Sequence, residues 1–120
     1  MKILPEAISK LFPNQKGKLI VFCIEYIDLF FNYTEKHKLD TSTKLLVSCF
    51  PQIMKENYGL LADIYVSDVG CISYEIIGKV LYTLIQNDFL KVHESDSFDD
   101  FLEIQTSPID DVKKLITCQM

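Results

Sequence analysis

Along most of the chain, apolar residues recur three and four positions apart, the spacing of an amphipathic helix. From Leu19 to about Lys38 this spacing is kept by Ile20, Cys23, Ile24, Ile27, Phe30, Phe31 and Thr34, with Glu25, Asp28, Asn32 and Glu35 between them. Leu19-Ile20-Val21-Phe22 alone would suit a buried strand, but the length of the pattern decides for a central helix. Ahead of it, Pro5 opens a short helix through Phe12, and Phe12 to Lys18 collects turn formers. Beyond it, Asp40-Thr41-Ser42 offers capping side chains to a stripe of Leu45, Leu46, Cys49, Phe50, Ile53, Met54 and Tyr58. Pro51 lies inside that stripe and removes one backbone donor, so the helix is expected to kink or restart there. Gly59 and Gly70 close two successive helices, the second traced by Leu60, Leu61, Ile64, Tyr65 and Val69. Ser73 then caps a helix whose apolar stripe runs Ile76, Ile77, Val80, Leu81, Leu84 and Ile85.

After Asn87-Asp88 the period changes. Phe89-Leu90-Lys91-Val92-His93 and Phe101-Leu102-Glu103-Ile104-Gln105 alternate loosely across a polar turn, which predicts a β-hairpin. Ser107-Pro108-Ile109-Asp110 starts a closing helix through Ile116. The expected class is therefore α+β and predominantly helical, with five or six short helices, a C-terminal β-hairpin and a winged-helix-like order in the second half. One domain spans 1–120: an N-terminal helix and loop over 1–18, a helical body over 19–91, and an acidic hairpin with its closing helix over 92–120.

Composition changes this picture in two respects. The 120 residues carry 12 basic and 17 acidic side chains, and the imbalance is local: residues 92–120 hold 2 Lys against 7 acids, while 1–91 are balanced. All the basic residues are Lys, so the chain lacks the planar guanidinium fork that best grips phosphate or guanine. The expected wing, Glu94 to Asp100, is acidic and repels phosphates. Nucleic-acid binding by a winged helix is thus the disfavoured alternative.

Chemistry-bearing constellations are sparse. Cys23, Cys49, Cys71 and Cys118 show no C-x-x-C pair and no nearby His, which points to reduced, packed thiols and to no metal or other cofactor. The acids from Glu94 to Glu103 lack the central Gly of an EF-hand and read as a solvated turn. His37 and His93 have no visible nucleophile partner, so an enzyme ranks third and no catalytic residue is assigned. The N-terminal residues lack a secretory pattern, and no apolar run reaches the roughly 20 residues of a membrane span. The expected compartment is the cytoplasm, away from any membrane.

Glu56-Asn57-Tyr58-Gly59-Leu60-Leu61-Ala62, Val69-Gly70, Ile76 to Ile85 and Ser97-Phe98-Asp99-Asp100-Phe101, with the aromatic segment Phe22 to Thr34, resemble the Minf-type family of uncharacterised bacterial proteins over roughly residues 19–104. The resemblance implies a small cytosolic domain and carries over no activity. Eight Phe and six Tyr exceed what one small core readily hides. An aromatic surface beside an acidic segment suits docking onto a basic protein partner or self-association. The expected function is a non-enzymatic interaction or adaptor module, and Tyr74, Lys79, Tyr82, Phe98, Asp99 and Asp100 are the candidate interaction surface.

Overall fold

A computed structural model describes residues 5–13, 17–39, 41–71, 73–87 and 106–118. Helix α1 spans Pro5–Leu11, and α2, the longest described, runs from Gly17–His37 over 21 residues. Ile20, Phe22, Cys23, Ile24, Tyr26, Ile27, Phe30 and Thr34 of α2 are all buried. That apolar arc is wider than one neighbour covers, and α1, the helix bearing Phe50, and two later helices pack around it. The α2 terminus is a Schellman closure: the Leu39 amide donates to the Thr34 carbonyl and the Lys38 amide to that of Glu35. Lys38 takes the left-handed position usually given to Gly, with φ of 54°.

The Pro51 restart is observed. Helix α3 spans Thr43–Ser48, and α4 spans Phe50–Tyr58 with Pro51 in its first turn. Cys49 joins them with helical dihedrals, its amide donating to Leu45 and its carbonyl accepting from Ile53. The chain therefore bends without leaving the helical region, and only the bond that Pro51 cannot donate is lost. Ser42 caps α3 by accepting from the Leu45 amide at 3.1 Å. Replacing Ser42 with Ala is expected to lower stability by about 1 kcal/mol, read as a shift of the urea midpoint.

A 3₁₀ turn, Gly59–Leu61, leads into α5 over Ala62–Val69. Gly70 ends α5 at φ of 81°, and the Cys71 amide returns to the Val66 carbonyl. Helix α6 spans Tyr74–Gln86 and packs on α2, while α7, Pro108–Cys118, lies across α4 and α5. Ser107 caps α7 through the Asp110 amide, and Pro108, Val112 and Ile116 are buried.

The core centres on aromatic rings. Phe50 meets Phe22, Tyr26 and Tyr74 at centroid separations of 6.2, 4.8 and 5.6 Å, all edge-on. The Tyr26 hydroxyl donates to the Leu46 carbonyl, which ties α2 to α3.

The α+β class requires correction. The described residues are 85% helical and contain no strand, so a C-terminal β-hairpin is not seen. Its two arms, Phe89–His93 and Phe101–Gln105, lie outside the described residues. Five residues of loose alternation are a weak signal, and the described core closes without a sheet because α7 covers α4 and α5. The expected wing, Glu94 to Asp100, lies outside the described residues with those two arms.

Candidate functional site

The most unusual surface is built at the junction of α4 and α5. Gly59 adopts φ of 64° and ψ of −142°, turning the chain out of α4 into a 3₁₀ turn that contains no buried residue. Helix α5 then buries Ala62, Val66 and Val69 on one side. Leu60 and Leu61 of the 3₁₀ turn and Ile64 of α5 are instead 61%, 66% and 61% exposed. Three large aliphatic side chains thus form a solvent-facing ledge. Asp68 continues the same side, and its carboxylate holds the Lys18 ammonium of α2 at 2.6 Å. One turn along from that pair, Val21 of α2 is also exposed.

Behind the ledge, Tyr58 stacks on Tyr65 at 4.2 Å, and Tyr65 leans on Phe22 at 5.6 Å. Burial, aided by the contact with Tyr65, pushes the Tyr58 phenol up to about 12. Tyr58 also lines an open crevice of about 310 Å³ between α2 and α4, together with Glu25, Asp28, Leu29 and Asn57. The crevice continues through Leu29 and Asn57 into a second hollow of about 160 Å³ that reaches Glu56 and Lys36. The two hollows together carry Glu25, Asp28, Glu56 and Lys36 between α2 and α4.

A larger hollow of about 690 Å³ separates α3 and α4 from α7, lined by Val47, Ser48, Gln52, Thr106, Asp111 and Lys114 among others. Its carboxylate is committed to the fold. Asp111 Oδ2 accepts from the Tyr74 hydroxyl at 2.6 Å and from Thr106 at 3.0 Å, bracing α7 on α6. Burial, then that carboxylate, raises the Tyr74 phenol far above its ordinary value.

Of the six residues expected to form an interaction surface, Tyr74, Lys79 and Tyr82 are among the described residues. Tyr74, expected on the solvent face of its helix, is 2% exposed and belongs to the core. Lys79 is exposed and lies 3.5 Å from Glu75, one turn back. Tyr82 is half-buried against the core. Phe98, Asp99 and Asp100 lie outside the described residues, as does His93. His37 is exposed with its ring 4.4 Å from Tyr33. Cys23, Cys49 and Cys71 are free and buried. A neighbouring Cys71 thiol and burial both raise Cys23, and burial raises Cys49, so neither supplies a ready thiolate.

Leu60, Leu61 and Ile64 read from the sequence as core. A signal for the opposite was present: Ala62, Val66 and Val69 make a second stripe in the same segment, and a short helix has only one inward side. Ala62 marks the side of close approach.

No protein-family model, curated protein or solved structure matches the chain. The likeness read over residues 19–104 therefore adds no residue role to this site.

Proposed function

We propose that the chain is a non-enzymatic protein-interaction module that docks through the ledge of Leu60, Leu61 and Ile64. The observation that carries this reading is their exposure, each above 60% in a fold whose other apolar stripes face inward. Leaving three such side chains in water forgoes about 1.5–3 kcal/mol each relative to full burial, which a partner would recover. Free buried thiols suit a reducing, cytosolic setting. No helix among the described residues is long and apolar enough to cross a membrane, so the ledge is not part of a helical span.

Affinity capture tests the reading with the double variant Leu61→Ser/Ile64→Ser. The wild-type chain is expected to retain a protein partner, or a second copy of itself, that the variant loses by at least about tenfold, as expected when central apolar anchors are cut back. The melting temperature should hold, because surface changes of this type cost within about 0.5 kcal/mol. A wild-type chain that is monomeric and captures nothing the variant fails to capture would overturn the proposal.

A further inference from the structure

We infer that the ledge closes on a second copy of the same chain, with Leu60, Leu61 and Ile64 of one protomer lying across those of its partner about a two-fold axis. This rests on the reading of the ledge as a docking surface and goes on to name what docks. Shape, charge and area select that occupant.

Gly59 carries the chain out of α4 at φ of 64°, and none of Leu60, Leu61 and Ile64 lines any of the three hollows described above. A partner that inserts a helix needs a recess to receive it. Two aliphatic rows standing out from their surfaces need only each other, because the side chains of one pass between those of the other. A two-fold copy supplies the same row at the same size, with no second surface that has to match it.

The rim of the ledge carries both signs of charge. Lys18 and Asp68 are exposed and paired at 2.6 Å, and Val21 lies one turn along α2. A two-fold axis reverses the order of such a pair, so each charge can face its opposite across the contact. The acidic excess of the chain belongs to residues 88–105, which hold one Lys and six acids; the rest, ledge and rim included, balances eleven Lys against eleven acids. The part of the chain that bears the ledge therefore has no net charge with which to repel its like.

Area fixes the strength. At roughly 60–120 Å² of apolar surface for a whole aliphatic side chain, three on each of two copies, each above 60% exposed, bring on the order of 200–450 Å² to the contact. Even with its rim, such a contact stays below the roughly 1,200 Å² of a stable complex, so the pairing is reversible, with a Kd of about 10–200 µM.

Sedimentation velocity of the full chain from about 5 µM to about 1 mM tests this. The mean mass is expected to climb with concentration from 13.9 kDa toward twice that value and not to pass it. Leu61→Ser/Ile64→Ser should weaken the pairing at least about tenfold. Leu60→Lys, which puts a hydrated charge into an apolar contact, should do the same, and both variants should keep the helical circular dichroism of the wild type.

A wild-type chain that stays monomeric throughout, while a different protein is captured through Leu61 and Ile64, overturns the second copy and leaves the ledge as a docking site. Monomers that bind phosphatidylcholine vesicles through the same two residues replace the copy with a membrane surface. A monomer that captures nothing removes the docking reading as well. Dimers undiminished in both variants move the contact to another face and sink this one. Mass that rises past the dimer without limit rules out the two-fold, since an open head-to-tail contact goes on growing.

Discussion

Phe50→Ala lowers the free energy of unfolding by about 3–5 kcal/mol, the range for removing a buried aromatic side chain. Phe50 is fully buried, and its ring is where α2, α4 and α6 meet, edge-on to Phe22, Tyr26 and Tyr74. Three causes add. The transfer energy of the ring is lost, a cavity opens among residues whose own packing limits collapse, and each edge-on contact forfeits up to about 1 kcal/mol. A domain stable by about 5–15 kcal/mol loses a large share of its margin. Phe50→Leu keeps most of the volume and should cost less than half as much. Urea unfolding measures both, and the midpoint should fall with little change in slope. A loss below about 1 kcal/mol for the alanine variant would mean that the rings do not form one centre.

The second large effect is alkaline. The phenols of Tyr26 and Tyr74 are held well above their ordinary value of 10.0, in both cases chiefly by burial, and Tyr58 is raised to about 12. A raised phenol is protonated in the fold while its unfolded counterpart ionises, so above about pH 10 the unfolded state binds fewer protons. The stability these groups contribute is fully present below pH 10 and is lost as pH rises toward their folded values. Each contributes a slope of up to about −1.4 kcal/mol per pH unit, and the share of Tyr58 is spent by about pH 12. Cys23, raised from 9.0 by its contact with Cys71 and by burial, begins the decline slightly earlier. Urea midpoints should hold to about pH 9, then fall ever more steeply to pH 11. Tyr74→Phe removes one ionising group and should flatten the alkaline limb, even though loss of its hydrogen bond to Asp111 lowers the neutral plateau. An alkaline limb of the same slope in that variant would contradict the assignment.

How much of this was legible depends on what each residue had to report. Local backbone chemistry was readable, because a proline, a glycine or a capping hydroxyl acts within a few residues. The restart at Pro51, the left-handed Gly70 and the Ser42 cap are all of that type. Direction was harder. Tyr74 was assigned to solvent although it stands three, seven and ten positions before Ile77, Leu81 and Leu84, the stripe that α6 buries. Its hydroxyl disguised it, since only the fold supplies the Asp111 carboxylate that lets a phenol go inside. The ledge failed in the reverse sense. Leu60, Leu61 and Ile64 have helical spacing and aliphatic chemistry, and nothing local says that α2, α4 and α7 cover the other side of α5. Charge was legible as a total but not in its use: Asp111, counted with an acidic tail, braces α7 on α6.

The thiols give the molecule a further property. Cys23 on the central helix and Cys71 in the turn between α5 and α6 lie side by side with no exposed surface. A soluble alkylating reagent meets neither until the packing around α2 parts. Their rate of labelling, followed by mass, times the opening of the core from within, and the native chain carries its own stopwatch without any introduced probe.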